Sequence, residues 1–238
     1  MTKKILLPIL ILLSVLSLSG CMLSEPPLSP QMSLREIALS QMEERYGLIF
    51  EYYRPFGNSL SGTHMFLART ESIPDQVITI EIERFRYPDR VLMNNFLAVK
   101  HKDATIEFLY NRVTDVFNNS NIFYDVAQRG LSQGLPPNAT LYEFLADTRI
   151  HLVVRAEIKE SDFISNEQVM KVAKLIAESG VHFILTIVVV EDDLFGSFTH
   201  ETLRRLIPLR HFVHCAQVAY LGEDLRLMYV RDDRWVHG

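Results

Sequence analysis

The sequence predicts an α+β fold in which a mixed or antiparallel sheet is packed by amphipathic helices. Three observations carry this reading. Stretches at helical spacing open on Ser/Thr-x-x-Glu/Gln boxes at Ser33–Glu36, Thr140–Glu143 and Ser165–Gln168, where hydroxyl and carboxyl or amide groups can satisfy two orphan backbone donors. Apolar and polar residues alternate at Ile78, Ile80 and Ile82, and again through Ile150, Leu152, Val154, Ala156 and Ile158, the period of a strand with one wet face. A nearly unbroken apolar run from Val181 to Val190 has the composition of a central strand covered on both faces.

Taken in order, Leu34, Ile37, Ala38, Met42 and Tyr46 share one helical face, and Gly47 supplies a left-handed stop. A strand over 48–54 follows, Pro55-Phe-Gly-Asn58 reads as its turn, and 64–70 returns. The half-buried strand extends over 76–85. Asn94-Asn95 can cap a long helix reaching about Asn118, with Phe96, Val99, Ile106, Leu109, Val113 and Val116 on its inner face. A strand over 122–128, a loop over 130–138 and a short helix from Thr140 to about Asp147 lead into the strand at 150–158. The helix from Ser165 turns Val169, Val172, Ala173 and Ile176 inward and ends at Gly180. After the 181–190 strand come a loop over 191–197 and a helix over 199–207, stopped by Pro208. Segments 210–221 and 225–231 close as a hairpin around Gly222-Glu-Asp224. The order helix, glycine, strand, strand, strand at 34–85 recurs at 167–231. The 33–238 globular region therefore admits two αβββ-like halves, 33–120 and 121–238, or one continuous sheet.

Composition narrows the function classes. The chain has 238 residues, 48% of them apolar, which excludes disorder for most of it. Its net charge is −5, and becomes more negative once Lys3 and Lys4 are removed with residues 1–20. An acidic domain is a poor ligand for nucleic acid, and no nucleic-acid partner is expected.

The first residues give the location. Lys3 and Lys4 precede an apolar run of about 14 residues from Ile5 to Leu18, which as a helix reaches roughly 21 Å at ~1.5 Å per residue. That is short of the roughly 30 Å hydrocarbon core, so a processed targeting segment is expected. Leu18-Ser19-Gly20-Cys21 resembles the lipobox of bacterial lipoproteins. The resemblance implies cleavage between Gly20 and Cys21 and acylation of Cys21, giving a signal peptide over 1–20. It also implies an anchor at the outer face of the cell membrane, with membrane contact through lipid on Cys21 rather than through charge. An ordinary signal peptide, or an uncleaved anchor with a chance cysteine, is the alternative. Residues 21–32 follow as lipidated cysteine and tether, in which Pro26, Pro27 and Pro30 favour extended structure. Gln41-Met-Glu-Glu-Arg-Tyr-Gly47 before Phe50-Glu51, with Asn94-Asn-Phe-Leu-Ala-Val-Lys100, also resembles a group of small uncharacterised lipoproteins of Gram-positive bacteria. That similarity covers residues 1 to about 117 and carries no activity.

With Cys21 acylated, Cys215 has no partner in the chain and reads as a small buried hydrophobe. Among the histidines, His211-Phe-Val-His214-Cys215 is the densest cluster. On a strand, His211 and Cys215 share one face while His214 takes the other, so the three do not converge on a zinc ion. Glu191-Asp192-Asp193 lacks the alternating ligands of a calcium loop and reads as a solvated charge run. Nucleophile-elbow, phosphate-loop and metalloprotease motifs are absent from the sequence. No catalytic residue, metal ligand or cofactor is therefore assigned. Tyr52, Tyr53 and Phe56 with Arg54 read as core if buried on alternate faces, and as a protein or glycan contact if exposed; burial is the favoured expectation. The leading function is a non-catalytic binding or interaction module held at the cell surface, its protein or small-molecule partner unnamed. The competing classes are a hydrolase-like envelope enzyme with candidates around Glu191–Asp193 and His200, and a transporter-associated solute-binding protein.

Overall fold

Two sheets share one helical layer. The structure, a computed structural model, describes residues 33–58, 63–83, 90–128, 135–209, 212–222 and 224–232. Gly20, Cys21, the proline-rich segment and His211 lie outside the described residues.

Helix α1 (Leu34–Tyr46) buries Ala38, Met42 and Tyr46. It ends where Gly47, at φ +64°, donates back to the Glu43 carbonyl, a conformation that glycine adopts without steric cost. Strands β1 (Glu51–Asn58), β2 (Thr63–Arg69), β3 (Ile78–Glu83) and β4 (Arg90–Asn94) follow. They form a four-stranded antiparallel sheet in sequence order. Ile78, Ile80 and Ile82 are fully buried, as their alternation predicts.

Helices α2 (Phe96–Lys100) and α3 (Lys102–Thr114) come next, divided at His101. Strand β5 (Ser120–Gln128), helix α4 (Leu141–Leu145) and strand β6 (Ile150–Lys159) lead to helix α5 (Asn166–Ala177). The capping boxes of α4 at Thr140/Glu143 and of α5 at Ser165/Gln168 both form. Strand β7 (Phe183–Val190), helix α6 (His200–Leu209) and strands β8 (His214–Tyr220) and β9 (Arg226–Asp232) complete the chain. The second sheet runs β5-β6-β7-β8-β9. Only its β6–β7 pair is parallel, joined by α5 as a crossover helix. The apolar run at 181–190 is its central strand.

The fold is α+β, as expected. Four elements differ from the sequence reading. Pro55-Phe-Gly-Asn58 lies inside β1 rather than turning the chain. A proline is tolerated there because β1 is an edge strand, where no ladder bond is lost on the open side. Strand β4 was not anticipated; its five residues are too few to show alternation. The long helix expected after Asn95 breaks at His101, whose side chain leaves the helix to reach the Ala139 carbonyl, 2.9 Å from Nε2. The last helix runs one residue beyond Pro208, which removes a single bond in the final turn.

One apolar core extends from Ala38, Phe66 and Ile80 on the first sheet, through Phe96, Leu109 and Phe117, to Val154, Val172 and Leu185 on the second. The link is α3, which packs on β5 and α5, while α2 packs on β3. Segment 135–139 is strapped across this junction. Its alternate carbonyls accept from three basic side chains: Leu135 from Arg45 (3.0 Å), Pro137 from Lys100 (3.4 Å) and Ala139 from His101. Burial pushes the His101 pKa down, which suits a neutral ring donating to a carbonyl.

Candidate functional site

Strand β1 is the outer strand of the first sheet, and its register slips twice against β2. Tyr52 pairs with Ala68 and Arg54 with Leu67; Pro55 pairs with Phe66 and Gly57 with Met65. Tyr53 and Phe56 are therefore bulge residues, and a bulge re-aims the side chain it carries. Both are exposed, Tyr53 by 43% and Phe56 by 57%, with Tyr52 at 38%. The expectation that these aromatics form core is corrected. The signal for exposure was Pro55, which confines its strand to a sheet edge.

Guanidinium groups rest on these rings. Arg69 lies 3.8 Å from the Tyr53 centroid and Arg54 lies 5.6 Å from it, while Arg35 of α1 sits 4.5 Å from Tyr52. Each such contact at an exposed site is worth roughly 0.5–1 kcal/mol. The result is a surface of rigid, partly ordered aromatic and arginine side chains. Tyrosine and arginine dominate the energetics of protein interfaces for different reasons. Tyrosine offers a large contact area with two torsions to freeze, and arginine a planar five-donor fork whose greater torsional freedom is curbed here by stacking on the rings.

The second sheet offers a different surface. Register places Phe123, Arg155, Thr186, Gln217 and Tyr229 in one row, and Asp125, Val153, Ile184, Ala219 and Arg226 in the next. Residues paired across strands share a face, here the face opposite α5. Helix α6 covers its far half, burying Leu203 with Val188, Val190, Phe212 and Cys215. The near half is open.

At the β5 end of these rows stands a polar cluster. Arg155 donates to Asp125 (2.9 Å), and His200 Nε2 lies 3.2 Å from the same carboxylate oxygen, with Arg204 at 4.0 Å. His200 Nε2 also lies 3.4 Å from Arg155 Nη1. One ring nitrogen cannot donate to a carboxylate and accept from a guanidinium at once. The hydrogen bond at this nitrogen is the one from Arg155, so Nε2 accepts from the guanidinium and meets Asp125 as a close neighbour, not as a donor. The imidazole stacks on Phe123, with interplanar angle 3° and centroids 5.6 Å apart.

The acidic run singled out beside His200 goes elsewhere. Asp192 accepts from the Ser161 backbone N–H at 3.0 Å, and hydrogen bonds from Ser161 hold its carboxyl below the ordinary aspartate range. A carboxyl group that sequence reasoning passed over does more: Glu157 is fully buried. It accepts from Asn121 Nδ2 (2.8 Å) and from the Gly196 N–H (3.1 Å), latching the 191–199 loop to the sheet. Asn121 and Glu157 are a cross-strand pair, but nothing in local spacing announces a contact with Gly196.

His214 and Cys215 lie on opposite faces of β8. His214 meets Asn166 at 2.9 Å and the Phe163 ring. Cys215 is fully buried, and burial pushes its thiol pKa up to about 12. In Cys21→Ala protein, Cys215 is expected to resist a thiol reagent at pH 8 until denaturant is added; rapid labelling of the native state would contradict its burial. Both Cys215 and Tyr124, also raised to about 12 by burial, are held protonated by folding. The stability they contribute is complete below the ordinary thiol and phenol values and declines as pH rises toward 12. Cys215→Ala is expected to lessen that alkaline decline, read from urea midpoints between pH 8 and 11.

Among the described residues, no three or more His, Cys, Asp or Glu side chains are grouped to hold a metal ion. His151 and His182 meet edge to face, centroids 5.6 Å apart. Among the described residues, no helix is long and apolar enough to cross a membrane.

No family model and no curated protein matches the chain. A solved structure of a DUF5037 family protein from Ruminococcus gnavus is similar over 79% of this chain and 92% of its own, at 13% identity and a TM-score of 0.44.

Proposed function

We propose that this chain is a lipid-anchored lipoprotein at the outer face of the cell membrane, and that its globular region is a non-catalytic binding module with β1 as its recognition edge. The observation that carries the binding role is the exposed Tyr52–Tyr53–Phe56 cluster with Arg35, Arg54 and Arg69 stacked against it. Two bulges twist β1 away from straight strand addition, so the partner meets side chains rather than backbone. Guanidinium groups already parked on the rings reduce the ordering cost of that encounter. Anchoring supports the same reading, since confinement to a thin layer raises effective concentration toward membrane neighbours. One acyl chain binds marginally and two or more hold, as lipobox processing at Gly20–Cys21 would supply.

Two measurements test this separately. Intact mass and membrane fractionation of wild type beside Cys21→Ala test the anchor. Wild type should lose residues 1–20, gain acyl mass and sediment with membrane, while the variant should not; identical behaviour would overturn lipidation. A photo-cross-linking residue at Tyr53 or Phe56, compared with one at exposed Ile164, tests the edge on intact cells. A discrete adduct from β1 alone, lost on Arg69→Ala, is expected. Equal adducts from Ile164, or none from β1, would sink the recognition edge.

The enzyme reading keeps one observation, the Asp125–Arg155–His200 cluster, in which an imidazole is held beside a carboxylate by a shared guanidinium. An envelope-polymer hydrolysis lost in both His200→Ala and Asp125→Asn, with folding intact, would replace the binding reading.

A further inference from the structure

A hollow of about 400 Å³ opens where the end of α1, the β2–β3 turn, α2 and the 135–139 strap come together. Its volume lies within the range of small-molecule sites, roughly 300–1,000 Å³. We propose that it binds a small monocarboxylate with an aromatic body, of the class of an arylalkanoic acid.

The apolar part of the lining comes from Tyr46, Leu48, Ile73 and Phe96. Tyr46 and Phe96 are both buried, and their ring centroids lie 4.4 Å apart with a 48° tilt. Phe50 meets Phe96 edge-on behind them, at 5.6 Å. The Tyr46 hydroxyl donates to Asn94 Oδ1 at 3.0 Å, so the hollow meets this residue through its ring. A further ring laid against Tyr46 and Phe96 extends this cluster in the tilted geometry that aromatic pairs prefer. Leu48 and Ile73 are half-buried walls. The left-handed Gly47 places the first, and a turn bond from the Ile73 N–H to the Thr70 carbonyl, 3.2 Å, holds the second.

The polar part of the lining has one sign. Ser72, Lys100 and Asn138 supply it, and among the described residues no carboxylate lines the hollow. All three are exposed and can donate hydrogen bonds, and Lys100 adds a positive charge. Lys100 Nζ already donates to the Pro137 carbonyl at 3.4 Å. That bond occupies one of three ammonium hydrogens and cancels no charge, because its acceptor is neutral. It also keeps the ammonium beside the hollow, since Pro137 is itself a lining residue. Among the described residues Lys100 has no ion pair. A carboxylate placed there gains a charge-assisted hydrogen bond without displacing another anion. A neutral ligand forgoes that gain, and a cation is repelled. No β1 residue lines the hollow, so it stands or falls apart from the recognition edge and the lipid anchor.

Methyl-detected NMR of the full-length protein in detergent micelles tests the proposal. The probe is 3-phenylpropionate, its concentration corrected for uptake by the micelles. Saturable shifts are expected at the Leu48 and Ile73 methyl groups. 3-Phenylpropanamide, which lacks the charge, is expected to bind about tenfold more weakly, as when a neutral hydrogen bond replaces a charged one. 3-Cyclohexylpropionate, similar in size but without a π face, is expected to bind about threefold or more weakly. Lys100→Gln should weaken the acid about tenfold and leave the amide unchanged, a split that misfolding would not produce. Equal affinity for acid and amide, or an equal effect of Lys100→Gln on both, would overturn the proposal. So would cyclohexyl binding as tight as phenyl, or no saturable shift at Leu48 and Ile73 at tens of millimolar.

Discussion

Glu157→Ala is expected to destabilise the fold by about 3 kcal/mol and to free the 191–199 loop. The carboxyl group is fully buried and each oxygen accepts one bond, from Asn121 and from the Gly196 N–H. Removing it strands two donors, each a cost of roughly 1–3 kcal/mol, and leaves a void under the loop. Glutamine does not rescue it, because it offers one acceptor oxygen where two donors converge, and its own N–H would face one of them. Urea denaturation gives the loss of stability, and limited proteolysis at Leu194–Phe195 reports the loop. An unchanged midpoint in Glu157→Ala would mean that water replaces the carboxyl without cost. A lower midpoint with an uncut loop would locate the damage in the sheet instead.

Leu109→Ala is expected to cost about 3 kcal/mol, within the range of roughly 2–5 kcal/mol for buried leucine, and to weaken both sheets equally. Leu109 is fully buried on α3, the helix whose neighbours connect β3, through α2, with β5 and α5. A buried group in one continuous core stabilises everything that unfolds with that core. Native-state hydrogen exchange should therefore show the same fall in protection at Ile80 and at Ile187. Loss at Ile187 alone would mean that the regions before and after residue 120 open separately.

The two capping boxes and the two alternating strands were legible because each depends on residues within five positions of one another. Elements went wrong where a distant contact decided. His101 interrupts a helical pattern for the sake of Ala139, and β4 exists because β3 offers it a ladder. The recognition edge was half legible. Tyr52, Tyr53 and Phe56 stood out as a cluster, but their exposure depends on β1 having no neighbouring strand beyond it among the described residues. Pro55 carried that information and was spent on a turn. The Asp125–Arg155–His200 cluster could not have been found, since its members are 30 and 45 residues apart and meet only through sheet register and the docking of α6.

The core shared by the two sheets has a history as well as a geometry. In a chain made from its N-terminus, the first sheet can pair strand by strand as it appears, with α1 already present and α2 following directly. Helix α3 then has to wait for β5 and for α5, which ends at residue 177. At roughly 5–20 residues per second the delay lasts several seconds. During it Phe108, Leu109 and Val113, all buried in the finished molecule, lack the elements that will cover them. The point at which this protein most needs a chaperone is therefore the middle of its synthesis, at a helix whose inner face the completed fold conceals.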